Sequence, residues 1–97
     1  MVFVKKADET KFRECLDIIE ANGFAVYVDG CMDYNIYKRR YKNTVIQFVF
    51  GHIFRRRSGY IGWNSTTNEF DIYGNAELFM DVAQKIEKVG VRVTIKF

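Results

Sequence analysis

Two apolar stripes at helical spacing stand near opposite ends of this chain, and they constrain the fold more than any other feature. Phe12, Cys15, Leu16 and Ile19 recur at i, i+3, i+4 and i+7, and Phe79, Val82, Ala83 and Ile86 repeat the pattern. Each is one buried face of an amphipathic helix. Asp8 and Asn75 stand where an N-cap oxygen is needed, and Asn22-Gly23 and Gly90 supply the left-handed stops. Glu9, Arg13 and Asp17 form an i, i+4 ladder on the first helix, and Asp81 and Lys85 a favourable pair on the second. A core that takes two such stripes needs a sheet to lay them on.

The sequence between and around the helices is of strand type. Val91, Val93, Ile95 and Phe97 alternate with Arg92, Thr94 and Lys96, so this strand has one face in the core and one in water. Tyr60 to Trp63 and Glu69 to Tyr73 flank the polar turn Ser65-Thr66-Thr67-Asn68, a hairpin that sets Trp63 opposite Phe70 and Ile61 opposite Ile72. Phe24 to Val28 and Thr44 to Phe50 are rich in β-branched and aromatic residues, and Val2 to Lys5 reads as a short first strand. Asp29-Gly30 is a two-residue hairpin turn that folds Cys31 to Tyr37 back on Phe24 to Val28. Gly51-His52 reads as another turn, with Ser58-Gly59 a third, which makes Ile53 to Arg57 a short strand in a meander. A bulge at Gly51 would instead make one strand of residues 44–57, longer than the usual five or six. The expected architecture is α+β: two helices on one face of a mostly antiparallel sheet, an elaborated ferredoxin-like split βαβ sandwich. Fold of this kind licenses no function by itself.

At 97 residues, 48% hydrophobic and 28% charged, the chain is expected to form one soluble domain spanning 1–97. No apolar run reaches the ~20 residues of a membrane span, and Met1-Val2-Phe3-Val4 followed by Lys5 and Lys6 is not a secretory leader, so the expected setting is cytoplasmic, with no membrane partner. Cys15 and Cys31 are too few for a disulfide scaffold or a zinc site, and no cofactor or metal is expected.

Charge is uneven. The net +3 of the chain divides into −2 over residues 1–30, +6 over 31–60 and −1 over 61–97. The middle holds Lys38, Arg39, Arg40, Lys42, Arg55, Arg56 and Arg57 against Asp33 alone, interleaved with Tyr37, Tyr41 and Tyr60. If Gly51-His52 turns the chain, Phe48 faces Arg55, Ile46 faces Arg57 and the two basic clusters converge; on a straight strand they stand ~40 Å apart. Converged, guanidinium forks for phosphate and tyrosine faces for unpaired bases are the ingredients of nucleic-acid binding. That is the leading expectation: a small, non-enzymatic nucleic-acid-binding protein. The alternative is a protein-interaction module or inhibitor, homodimeric in one form, using an exposed sheet edge or the basic patch against an acidic protein.

Catalysis has little to stand on. His52 is the single histidine, and no Ser or Cys is placed beside it. Phosphodiester cleavage, with the arginines stabilising charge and His52 or a tyrosine as base, ranks last.

Overall fold

The computed structural model describes residues 2–30 and 33–96. Its order is α1 (Glu9–Ala21), β1 (Phe24–Asp29), β2 (Asp33–Lys38), α2 (Thr44–Phe48), β3 (Gly59–Asn64), β4 (Glu69–Gly74), α3 (Ala76–Lys88) and β5 (Arg92–Lys96). A 3-10 turn, Lys6–Asp8, leads into α1, and α2 continues as a wider π-helical turn, Val49–Ile53.

The α+β architecture and the two expected helices are present. The strands follow one another in space, β1-β2-β3-β4-β5, antiparallel except for the β4–β5 pair, which is parallel and joined through α3. Because β4 and β5 are direct neighbours, this βαβ unit is not split, and the sheet is a meander with one parallel strand added. The expected hairpin register is observed, Trp63 with Phe70 and Ile61 with Ile72. Asn64 secures that turn by accepting from the Thr66 and Thr67 amides.

Alternation along the strands sends Phe24, Ile36, Ile61, Phe70 and Ile72 to the face covered by α1 and α3. There they pack with Phe12, Cys15, Ile19, Phe79, Val82 and Ile86 as one core. The Phe12 ring meets Tyr34 and Trp63 edge-on at 5.3 and 5.9 Å, geometries that match the aromatic quadrupole. Gly23 and Gly90 end α1 and α3 at φ +89° and +88°, where a side chain would be strained.

Several expectations are corrected. Val2–Lys5 is not a strand; Val2 is buried against the core from an irregular segment. Asp8 makes no side-chain cap bond, because the 3-10 turn already carries the chain into α1. Asn75 does cap α3, accepting from Glu77 N at 2.9 Å. In the first hairpin Val28 pairs with Tyr34 and Asp29 with Asp33, so the turn is longer than two residues. Cys31, the expected start of the second strand, lies outside the described residues, as does Phe97, the expected end of the last. Ser58-Gly59 leads into β3 rather than forming a turn, with Ser58 N bonded to Ile36 O at 2.7 Å.

The largest correction concerns residues 44–57. Thr44 to Phe50 is helical, Gly51-His52 lies inside the π turn, and Ile53 to Arg57 forms no strand. The pairings of Phe48 with Arg55 and Ile46 with Arg57 therefore do not exist. A third helix results, and it sits on the sheet face opposite α1 and α3, against Tyr27 and Tyr37. No helix among the described residues is long and apolar enough to cross a membrane.

Candidate functional site

The α2 segment is an inside-out helix. Asn43 opens it by accepting from the Val45 and Ile46 amides at 2.9 and 3.1 Å, the ordinary N-cap device. Its buried residues are Gln47 and, in the π turn, Gly51. Gln47 is fully enclosed: its carbonyl oxygen accepts from Arg40 N at 2.8 Å and Tyr41 N at 3.1 Å, and its amide nitrogen donates to Lys38 O at 3.1 Å. The amide thus satisfies the backbone of the loop leaving β2, which would otherwise be desolvated without partners. Gly51, one turn on, leaves the room that Gln47 occupies; a Cβ there would run into the amide group.

His52 fastens the far end. Its ring lies parallel to Tyr27 at 4.1 Å, with Tyr37 and Phe48 at its edges. Its Nε2 is 2.8 Å from Asp29 Oδ1, while Nδ1 is enclosed without a partner. Asp29 Oδ2 accepts from Asn35 at 2.8 Å and from the Tyr37 hydroxyl at 3.4 Å, and Asn35 Oδ1 accepts from Arg57 at 2.7 Å. Burial pushes the Asp29 carboxyl upward, but the donors Asn35, His52 and Tyr37 together hold it below its ordinary value. Burial, then the Asp29 charge, raises the Tyr37 phenol.

With Gln47 and Gly51 turned inward, most of the apolar side chains stay exposed, although Phe48 also touches Tyr27 and His52. Val45, Ile46, Phe48, Phe50, Ile53 and Phe54 are all exposed, Phe54 by 72% and Val45 by 70%. They account for six of the ten large apolar residues exposed among those described. Buried polar groups and an exposed apolar cluster are both unusual, and here one helix has both.

The seven cations expected at the site are all exposed. Arg39 lies 3.8 Å from Glu20. Arg57 bonds Asn35 and lies over the Tyr60 ring at 4.4 Å. Lys38, Arg40, Lys42, Arg55 and Arg56 have no carboxylate partner among the described residues. The helix, rather than a turn, shortens the path between the two clusters. With about 1.5 Å for each of the nine helical steps from Thr44 to Ile53 and at most about 3.3 Å for each of the four others, Lys42 and Arg55 lie no more than ~27 Å apart, about two-thirds of the straight-strand figure.

The tyrosines are placed differently from the expectation. Tyr37 is buried under His52. Tyr60 is sandwiched, with Tyr73 stacked on it at 4.5 Å and Arg57 over it. Tyr41 is half-buried, 6.4 Å from Phe50. Besides Tyr60, the exposed rings of this segment are Phe48, Phe50 and Phe54, which lie in stretches expected to be strands. The available signal was Asn43 ahead of Thr44-Val45, with Gln47 and Gly51 four residues apart.

The rest of this sheet face is open. A 500 Å³ depression is lined by Asn35, Arg57, Tyr60, Gly62, Asp71 and Tyr73, among others. Its buried Asp71 is 3.4 Å from Lys96, and that carboxylate raises the lysine's pKa.

No family model, curated protein or solved structure matches the chain.

Proposed function

We propose that this protein is a non-enzymatic interaction module that docks the outer face of α2 and its basic flanks onto an acidic protein surface. The observation that carries the reading is the inverted amphipathicity of residues 44–54. Enclosing Gln47 and Gly51 while leaving Phe50, Ile53 and Phe54 largely in water is the arrangement an interface core would need. Interfaces are enriched in aromatic residues and Arg, and anchors of this kind dominate their energetics. The flanking Arg40, Lys42, Arg55 and Arg56, with no carboxylate partner among the described residues, supply complementarity to an acidic partner and a fast approach to it. Val45, Ile46 and Ile53 favour a protein over a base-stacking ligand, since branched aliphatics have no face on which a base can stack.

His52 supports the non-enzymatic reading: one ring nitrogen is held by Asp29 and the other is enclosed, so neither is presented to a substrate.

Single-stranded nucleic acid is the second reading. The exposed Phe54 ring directly precedes Arg55 and Arg56 in sequence, combining a stacking surface with phosphate-binding forks. The expected salt slope is about −0.7 per phosphate neutralised.

Photocrosslinking in cells from a reactive residue at position 54, with Arg55→Glu/Arg56→Glu as control, tests the first reading. Capture of an acidic protein by the parent chain and its loss in the charge-reversed variant is expected. Tight, salt-dependent binding of a labelled oligonucleotide without such capture would transfer the function to the second reading, and neither result would overturn both.

A further inference from the structure

We propose that the outer edge of β1 is the seat of a second copy of this chain, joined strand to strand as β1 against β1 around a two-fold axis. This surface is separate from the α2 face and does not depend on it.

The sheet has two edges, and they differ in kind. β5 carries Arg92 and Lys96, charges that discourage strand addition. β1 reads Phe24-Ala25-Val26-Tyr27-Val28 before its first charge at Asp29, with no Lys, Pro or bulge to protect it. Among the described residues its backbone pairs only with β2, so one row of N–H and C=O groups has no ladder partner there. Beside the edge, on the α1 face, lies a 370 Å³ groove lined by Val2, Val4, Leu16, Val26 and Val28, with Glu9, Arg13 and Glu20 among its charged residues. Val28 is 56% exposed there.

The chemistry of the groove matches itself. β1 runs back from the end of α1 after Asn22-Gly23. With about 3.3 Å per strand residue and 1.5 Å per helix residue, Val26 stands level with Leu16 and Asp17, so that Arg13 and Glu20 lie on either side of that level. A two-fold axis through Val26 pairs the strands antiparallel, sets Phe24 opposite Val28 of the second copy, and reverses the helix. Arg13 of each copy then approaches Glu20 of the other across an aliphatic floor. An isologous contact needs this self-complementarity, with opposite charges placed symmetrically about an apolar centre. Arg39, at 3.8 Å from Glu20 and exposed, is a weak competitor for that carboxylate.

Sedimentation velocity on the full chain tests this at protein concentrations up to about 1 mM, far enough to detect even weak association. A concentration-dependent dimer is expected, weakened at least about tenfold by Val28→Lys and similarly by Arg13→Glu or Glu20→Arg alone. The double exchange Arg13→Glu/Glu20→Arg restores it, a rescue that unfolding cannot mimic, and circular dichroism confirms that each variant is folded. A monomer throughout the range would overturn the proposal. So would a dimer indifferent to Val28→Lys, or one lost on Phe54→Asp, which would move the contact to α2.

Discussion

His52 lies flat on Tyr27, with ring centroids 4.1 Å apart and planes within 1° of parallel, and in that position reaches Asp29 Oδ1 at 2.8 Å. This couples α2 to the edge hairpin: the stack fixes where the imidazole lies, and the carboxylate fixes which nitrogen carries the hydrogen bond. His52→Ala removes both and exposes the Tyr27 face. A loss of about 1–3 kcal/mol is expected, read from urea denaturation at neutral pH.

The same carboxylate gives stability a pH signature. The folded state holds the Asp29 pKa below its ordinary value of 3.8, so the unfolded chain takes up the proton first as pH falls. Its contribution is therefore complete above the unfolded value, declines as pH drops through it, and is gone below the folded value. Denaturation midpoints followed between about pH 5 and pH 2 should fall less steeply for Asp29→Asn than for the parent chain.

The expected course of residues 44–57 failed for a reason visible in Gln47 and Gly51. Elsewhere the pattern was legible because apolar residues mark the buried side: Phe12 and Ile19, Phe79 and Ile86, and the period-two strands carrying Trp63 and Phe70 all face the core. In α2 and the π turn the rule is largely reversed, since a buried amide and a glycine are enclosed while Val45, Ile46, Phe50 and Ile53 are exposed. High strand propensity in Thr44-Val45-Ile46 therefore competed with no opposing helical stripe, and tertiary hydrogen bonds from Gln47 decided the outcome. The seven cations were legible as a basic region from composition alone. Their neighbours were not, because the exposed Phe rings came from the segment whose conformation was reversed.

Gly51→Ala provides a direct check on that packing. In an ordinary helix interior the change stabilises by about 0.5–1 kcal/mol. Here the added Cβ meets the Gln47 amide, so a loss of about 1–3 kcal/mol is expected from overpacking and displacement of the three Gln47 bonds. The sign of the change in denaturation midpoint distinguishes the two.

Burial pushes the Cys15 thiol up to about 12, with Glu14 adding to the shift, and the side chain has no solvent exposure. Because the thiolate is the reactive species, peptide-level mass spectrometry after iodoacetamide treatment at neutral pH should find Cys15 unmodified in the folded protein. It should be labelled once denaturant opens the core.

Arg55, Arg56 and Arg57 are adjacent in sequence and divide their roles in space. Arg57 donates to Asn35 at 2.7 Å while its guanidinium covers Tyr60 at 4.4 Å, so a planar group satisfies two partners at once. A lysine ammonium is compact and lacks that fork. Arg57→Lys should therefore cost about 1–2 kcal/mol by weakening a bond to a buried amide and a cation–π contact. Arg55→Ala and Arg56→Ala break no ion pair among the described residues and should stay within about 0.5 kcal/mol of the parent. If α2 and its flanks form the docking surface, those two changes weaken partner capture from position 54 at unchanged stability. Equal destabilisation by all three, measured in one urea series, would show that Arg55 and Arg56 are structural instead.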